Sequence, residues 1–404
     1  MNNWINNMIN IPGSKKQIVA DKSVAFLEFA FRPFFLFGAI FSIISLLIWT
    51  ALLRGDTTLS LYGGSLWWHS HEMLFGFTAA IIVGFLLTAV QNWSGVRSLN
   101  GKGLLLLLLL WLAARIAFFF PEQLPQALII IVDMAFLPLA AVALAYPIIK
   151  VKLWRNLMFI PILLVMASSN ALTHYAAYTG DYALSSSATT FMVLLVTLVM
   201  CIMGGRVFPM FTANGTGTPR VNAINILEKL SVISILVAVM AGAKFIELPS
   251  MVVAIIFILT SIIHAVRVIR WKIWVTLKTP LVWSLHISYW CIVLGLLLFG
   301  LSEISSLVSH SQAIHTLTIG GMATMILAMI SRVSLGHTGR TIVVGKTMTV
   351  AFLAIIAAFV IRVFGLYLLD NYSQVLSLTV LFWTIGFGCF VALYLPILIK
   401  PKVN

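Results

Sequence analysis

Two histidines occupy equivalent positions near the start of two long apolar stretches. His71 is followed by Gly76 and, further on, by Gly95, and His315 is followed at the same two offsets by Gly320 and Gly339. Ionisable side chains inside a membrane are costly, so they are candidates for function. Two imidazoles at the same depth on two helices are suited to hold a metal between those helices. The alternative is a pair of neutral histidines that only hydrogen-bond neighbouring helices.

Helical geometry assigns these histidines to faces. At 100° per residue, the helix of His71 presents one face that carries His71, Phe75, Thr78, Ile82 and Phe85. His69 points away from that face, so one metal is not expected to bind both. His315 shares its face with Thr318, Met322, Ile326 and Met329. That apolar face suits a porphyrin wall, and it is equally typical of ordinary helix packing.

The composition is that of a membrane protein. Apolar residues make up 61% of the 404 residues and charged residues only 9%, and a spanning helix needs about 20 apolar residues. We therefore predict an all-α bundle, a single integral membrane domain over residues 1–404, with about twelve spans. They run near 34–53, 70–90, 103–120, 125–149, 154–178, 186–206, 227–247, 249–269, 280–302, 310–333, 346–369 and 375–399. The seventh and eighth are separated only at Leu248-Pro249.

The net charge of +14 is a topology signal rather than a sign of nucleic-acid binding. The loops after even-numbered spans and the two termini carry 21 Lys and Arg residues, whereas the opposite loops carry two. The positive-inside rule then places both termini in the cytoplasm of a bacterial inner-membrane protein, with residues 1–33 as a cytoplasmic segment. Arg32 is expected to reach the cytoplasmic headgroups.

Three further charges lie within spans. Arg115 and Asp133 have similar depth in adjacent antiparallel helices, which predicts an ion pair. Arg362 has no acidic neighbour in sequence and lies level with His71 and His315. The three cysteines stand singly in different spans, and no Cys-x-x-Cys-His motif for covalent haem attachment occurs.

Several motifs together resemble the NnrS family of bacterial membrane proteins over nearly the whole chain. They are Phe31-Arg32-Pro33-Phe34-Phe35, Trp68 through Phe77, Gly84 through Val90 with Asn92-Trp93, Asn170 through His174, Gly204 through Pro209, Leu285 through Tyr289, His315 through Thr318, and Arg332 through Arg340. The resemblance implies a protein of about twelve helices that carries haem and copper. It also implies a role in the response to nitric oxide and nitrosative stress.

A second similarity concerns helices two and ten. The run from His71 to Asn92-Trp93 is similar to the second helix of haem-copper oxidase main subunits, where a histidine binds low-spin haem and the second ligand comes from helix ten. Helices two, six and ten also show a loose repeat, in which Arg206-Val207 matches Arg332-Val333. This would suit a pseudo-threefold layout. However, the sixth helix has no histidine and the seventh has no His-His pair, so that superfamily's copper site and oxygen reduction are not expected.

These observations lead to specific cofactor predictions. His71 and His315 are the expected axial ligands of a non-covalent, b-type haem, with Arg362 near a propionate and with His69 and His174 in reserve. Copper is expected at His286 together with His337 or His264, since imidazole suits copper.

Two classes of function are open. One is a haem protein that binds nitric oxide or converts it as an oxidoreductase. Nitric oxide is small, apolar and soluble in lipid. The other is a polytopic transporter without a redox cofactor. Neither the catalytic residues nor an electron donor can be assigned from the sequence.

Overall fold

A computed structural model describes residues 24–403, and this part of the chain is helical, without β-strands. Residues 1–23 and Asn404, which include most of the predicted cytoplasmic segment, lie outside the described residues. Twelve long helices follow one another, as predicted: α1 Phe31–Arg54, α2 Ser65–Ser94, α3 Gly101–Ala117, α4 Gln126–Lys150, α5 Phe159–Thr179, α6 Tyr182–Thr216, α7 Asn225–Gly242, α8 Ser250–Ile269, α9 Pro280–Ser302, α10 His310–His337, α11 Lys346–Phe364 and α12 Tyr372–Ile399.

Eleven of these helices are long and apolar enough to cross a membrane. The exception is α3, whose 17 residues lie at the short end of the spanning range. The predicted division between the seventh and eighth helices is confirmed, because α7 ends at Gly242 and Pro249 caps the start of α8. The chain is a multi-pass membrane protein.

Helices α2, α6, α9 and α10 form the centre of the bundle. The apolar parts of α2, α6 and α10 are 83%, 78% and 78% buried, whereas the seven long peripheral helices are 44% buried or less. The peripheral helices expose apolar side chains such as Leu106, Ile131 and Val142, which is the surface that lipid requires. The three helices with the loose sequence repeat are therefore all central.

The bundle is closed by a contact between its first and last helices. The Arg32 guanidinium donates hydrogen bonds to the carbonyl oxygens of Leu398 and Lys400 at the end of α12. Arg32 is fully buried, so the expectation that it reaches the headgroups was wrong. It satisfies carbonyl groups that the end of a helix leaves without a partner.

Both α2 and α10 change from α to π geometry directly after the repeated histidine. The π segments are Glu72–Thr78 after His71 and Thr316–Ala323 after His315. Each contains the glycine of the repeat, and each glycine lies where a larger residue would clash. A Cβ on Gly76 would lie 2.7 Å from Arg115 and from Phe41. The repeated sequence pattern is thus also a repeated structural one, of a kind often found at functional sites.

Candidate functional site

A cavity of about 350 Å³ lies at the end of the bundle where α2 and α10 begin. We call this the histidine end. The cavity is lined by residues of α1, α2, α6, α10, α11 and α12, and most of them are apolar, such as Phe77, Met322 and Trp383. His69 of α2, His315 of α10 and Arg362 of α11 are its principal polar side chains.

The two histidines of the cavity have ring nitrogens that are free to act as ligands. The His69 ring stacks on Trp49 at 4.5 Å between centroids, and its buried Nδ1 has no hydrogen-bond partner among the described residues. The Nδ1 of His315 lies 2.7 Å from the carbonyl oxygen of Ser311, so it carries the proton and donates. In a neutral ring, Nε2 then keeps its lone pair.

Arg362 brings a positive charge to the same cavity. Its guanidinium hydrogen-bonds the Tyr372 hydroxyl at 3.3 Å, and no carboxylate of the described residues forms an ion pair with it. An anionic group in the cavity would therefore find an available cation.

A second, wider cavity of about 590 Å³ extends from the histidine end toward this site. We call it the vestibule. Hydroxyl side chains from α2, α6 and α10 line it, and it shares Ser70, Ser311 and His315 with the inner cavity. His315 therefore lies where the vestibule and the inner cavity meet.

Beside the cavity lies a group of six buried polar residues, which we call the polar cluster: His71, Glu72, Arg115, Asp133, Asn170 and His174. Each is at most 4% exposed. The Nε2 atoms of His71 and His174 lie 3.3 Å and 3.1 Å from the same oxygen, Oδ2 of Asp133. Within the described part of the chain, these three residues form the one group of three or more His, Cys, Asp or Glu side chains whose donor atoms converge as metal ligands do.

Each of these three residues is oriented by another group. The Nδ1 of His71 lies 2.9 Å from a Glu72 oxygen, and the Nδ1 of His174 lies 3.3 Å from the Tyr62 hydroxyl. Burial raises the pKa of Tyr62, so its hydroxyl stays protonated, and a hydroxyl can donate or accept as the histidine tautomer requires. Arg115 binds the other oxygen of Asp133, which confirms the predicted ion pair.

The charges of the polar cluster do not balance with neutral histidines. Arg115 binds Glu72 at 2.5 Å as well as Asp133, so one guanidinium faces two carboxylates. A buried excess of negative charge is costly. The cluster therefore favours an additional cation, either a proton or a metal ion.

The structure thus sorts the predicted residues into separate places. His69, His315 and Arg362 line one cavity, whereas His71 and His174 belong to the polar cluster and do not line that cavity. His71 and His69 are two positions apart on a helix, which directs their side chains to different sides. His71 and Thr78, which were predicted to share one helix face, also separate: Thr78 lines the cavity and His71 does not. The reason is that the π segment between them changes the rotation per residue.

The histidines considered for copper are also separated. His286 hydrogen-bonds Thr212 at 2.8 Å, and His264 bonds Tyr289 at 2.7 Å. His337 packs against Phe31 at 5.7 Å between ring centroids. Each has its own set of neighbours, and none belongs to the three-residue group described above.

Sequence reasoning missed two members of the polar cluster, Glu72 and Asn170. The sequence analysis assigns no role to Glu72, although an acidic residue next to a histidine inside an apolar stretch is a usable signal. Asn170 donates to Oδ2 of Asp133 at 2.6 Å and belongs to a motif that carries the family resemblance.

Comparison with known proteins gives a consistent result. A family model described as "NnrS protein" matches residues 25–402 of the chain. Among curated proteins, none matches it.

Proposed function

Because the chain belongs to the NnrS family, we propose that it is a haem- and copper-binding protein that binds or converts nitric oxide. Family membership supports a role in the nitric oxide response, and the helices make it a multi-pass membrane protein. We also propose that the protein lies in a bacterial inner membrane with both termini in the cytoplasm, because basic residues are concentrated on one side of the predicted spans. One observation carries it: two histidines with available ring nitrogens and an unneutralised arginine share one apolar cavity.

The residues of the cavity fit a non-covalent haem. We propose that His69 and His315 would hold the haem iron, with His69 in the place first considered for His71. The Ser311 carbonyl fixes the His315 ring with Nε2 unprotonated, as is usual for ligating histidines, and Arg362 would neutralise a propionate. The cavity of about 350 Å³ falls within the size range of cofactor sites. A bound haem would supply iron that binds nitric oxide or transfers single electrons.

The polar cluster fits copper better than His286 and His337 do. Two imidazoles and a carboxylate are suitable ligands for Cu(II), and the Nε2 atoms of His71 and His174 lie 3.3 Å and 3.1 Å from Oδ2 of Asp133, with all three donor atoms within 4.8 Å of one another. Glu72, Tyr62 and Arg115 already orient these residues, as outer partners do at metal sites. A metal cation would also offset the excess negative charge of the cluster.

Visible absorption spectra of the purified protein test the haem site. We expect a haem spectrum in the wild type that is lost or changed in His69→Ala and in His315→Ala. His310→Ala is the matched control, because His310 lines the vestibule but not the cavity. His71→Ala should keep the haem and lose copper, measured by elemental analysis.

Other outcomes would contradict the assignment. A haem spectrum that is unchanged in His69→Ala and His315→Ala but altered in His71→Ala would identify His71 as the iron ligand. Protein that is colourless after haem-replete expression, yet monodisperse on gel filtration, would favour the transporter. The vestibule and the buried charges of the polar cluster are compatible with that second function.

A further inference from the structure

A third, smaller cavity lies one to two helical turns from the cavity of His69 and His315, toward the opposite end of the bundle. It has a volume of about 80 Å³ and lies mainly between α2, α6 and α10. We call it the apolar chamber. All but one of its sixteen lining residues are apolar, and the exception, Thr78, also lines the larger cavity. The Thr78 hydroxyl is already bonded to the Met73 carbonyl at 2.8 Å.

This chamber is large enough for a small molecule but unsuitable for water. A buried water needs about two to four polar partners, and cavities lined by apolar residues stay dry and bind apolar guests such as xenon. The chamber offers no polar side chain except a threonine whose hydroxyl already donates to a carbonyl oxygen. Four of its lining residues are methionines, whose flexible thioethers adapt to guests of different shape.

The chamber and the cavity are neighbours along the same two central helices. On α6, Val193 lines the cavity and Val196 lines the chamber; on α10, Met322 lines the cavity and Met325 lines the chamber. Each pair is three residues apart, which is nearly one turn. A guest in the chamber therefore lies next to the cavity, on the side away from the polar vestibule.

We propose that the apolar chamber is a binding site for a neutral diatomic gas and holds that gas next to the haem cavity. The second part rests on the proposed haem function; the first part, binding of an apolar gas, does not. The vestibule would admit polar species at one end of the cavity, while an apolar gas that dissolves in lipid would collect at the other.

Xenon is the probe, measured by xenon NMR on the full-length protein in detergent. We expect one saturable xenon site in the wild type. Val199→Phe and Ile326→Phe each place a ring in the chamber and should weaken xenon binding by about tenfold or more. Val199 is 7% exposed, whereas Val237 on a peripheral helix is 45% exposed, so Val237→Phe is the matched control and should bind like the wild type.

The outcomes separate the two parts of the proposal. Equal xenon binding in all four proteins would overturn the chamber as a gas site. Protein that never binds haem but shows the expected xenon pattern would support the chamber as a gas site and contradict the proposed haem function. In haem-loaded, reduced protein, nitric oxide should bind more slowly in Val199→Phe than in Val237→Phe by stopped flow, with the same absorption spectrum. Equal rates would refute its role as a holding site.

Discussion

His69 and His71 are only two residues apart, yet their rings belong to different sites. The ring of His69 stacks on Trp49 at 4.5 Å between centroids and lines the inner cavity together with His315. The ring of His71 stacks on Trp67 at 4.4 Å and lies in the polar cluster. One short stretch of α2 therefore supplies a residue to each of two neighbouring sites, and substitutions at these positions should have separable effects.

Arg115 and Asp133 should behave as one unit. Arg115→Leu would leave two buried carboxylates without their cation, and Asp133→Leu would leave His71, His174 and Asn170 without their shared acceptor, so each should cost about 3–5 kcal/mol. The double substitution should recover part of this loss in thermal unfolding. Complete recovery is not expected, because Glu72 also binds Arg115.

The control is the ion pair of Arg54 and Asp56, whose side chains are 49% and 55% exposed. Arg54→Met should change stability by about 1 kcal/mol or less. A double variant of Arg115 and Asp133 that loses as much stability as the two single variants combined would refute the coupling.

Gly76 should not tolerate a methyl group. Its added Cβ would lie 2.7 Å from both Arg115 and Phe41, so Gly76→Ala should destabilise the protein by about 1–3 kcal/mol. Gly388 lies in α12 with open space around the corresponding position, and Gly388→Ala should be neutral or stabilise by up to about 1 kcal/mol. Thermal unfolding of the two variants in the same detergent measures the difference. Equal melting temperatures would show that the close approach at Gly76 is not needed.

Glu72→Gln should weaken copper binding without removing a copper ligand. Glu72 orients His71 through Nδ1 at 2.9 Å, and loss of such an outer partner lowers metal affinity by about 10–100-fold. Competition with a copper chelator measures the affinity, and the haem spectrum serves as an internal control. Unchanged copper affinity would place the metal elsewhere, with His286 and His337 as the next residues to test.

The basic residues make a prediction about topology. A phosphatase that is active only in the periplasm should be silent when fused after Asn404 and active when inserted at Gly180, in the loop between α5 and α6. Strong activity of the fusion at Asn404 would reverse the proposed orientation.

The helices themselves could be predicted from sequence, because each is long, apolar and separated from the next by polar or Gly/Pro residues. The Arg115–Asp133 pair could also be predicted, since two opposite charges at one depth have few alternatives in lipid. Helical spacing also predicted that His69 and His71 point to different sides. Which of the two lines the cavity could not be predicted, because that depends on how α2 packs against its neighbours and on the π segment that interrupts the regular 100° rotation after His71.

Arg32 shows a second limit of the same kind. An arginine near the start of a membrane helix is typical of a residue that contacts lipid headgroups. Only the structure shows that the end of α12 lies beside Arg32 and that its carbonyl groups accept hydrogen bonds from the guanidinium. The partners are 366 and 368 residues away in sequence, beyond the reach of any local pattern.

The π segments of α2 and α10 determine where these helices can lose a residue without turning their histidines. A π turn holds more residues than an α turn, so deleting one residue within Glu72–Thr78 would restore regular winding and leave His69 at nearly the same angle relative to the rest of α2. Deleting one residue within the regular winding of Ala79–Ser94 would instead rotate the part of α2 before it by about 100° relative to the part after it. The two π segments are therefore the places where a one-residue change of length is tolerated, whereas the regular parts of both helices must keep their length.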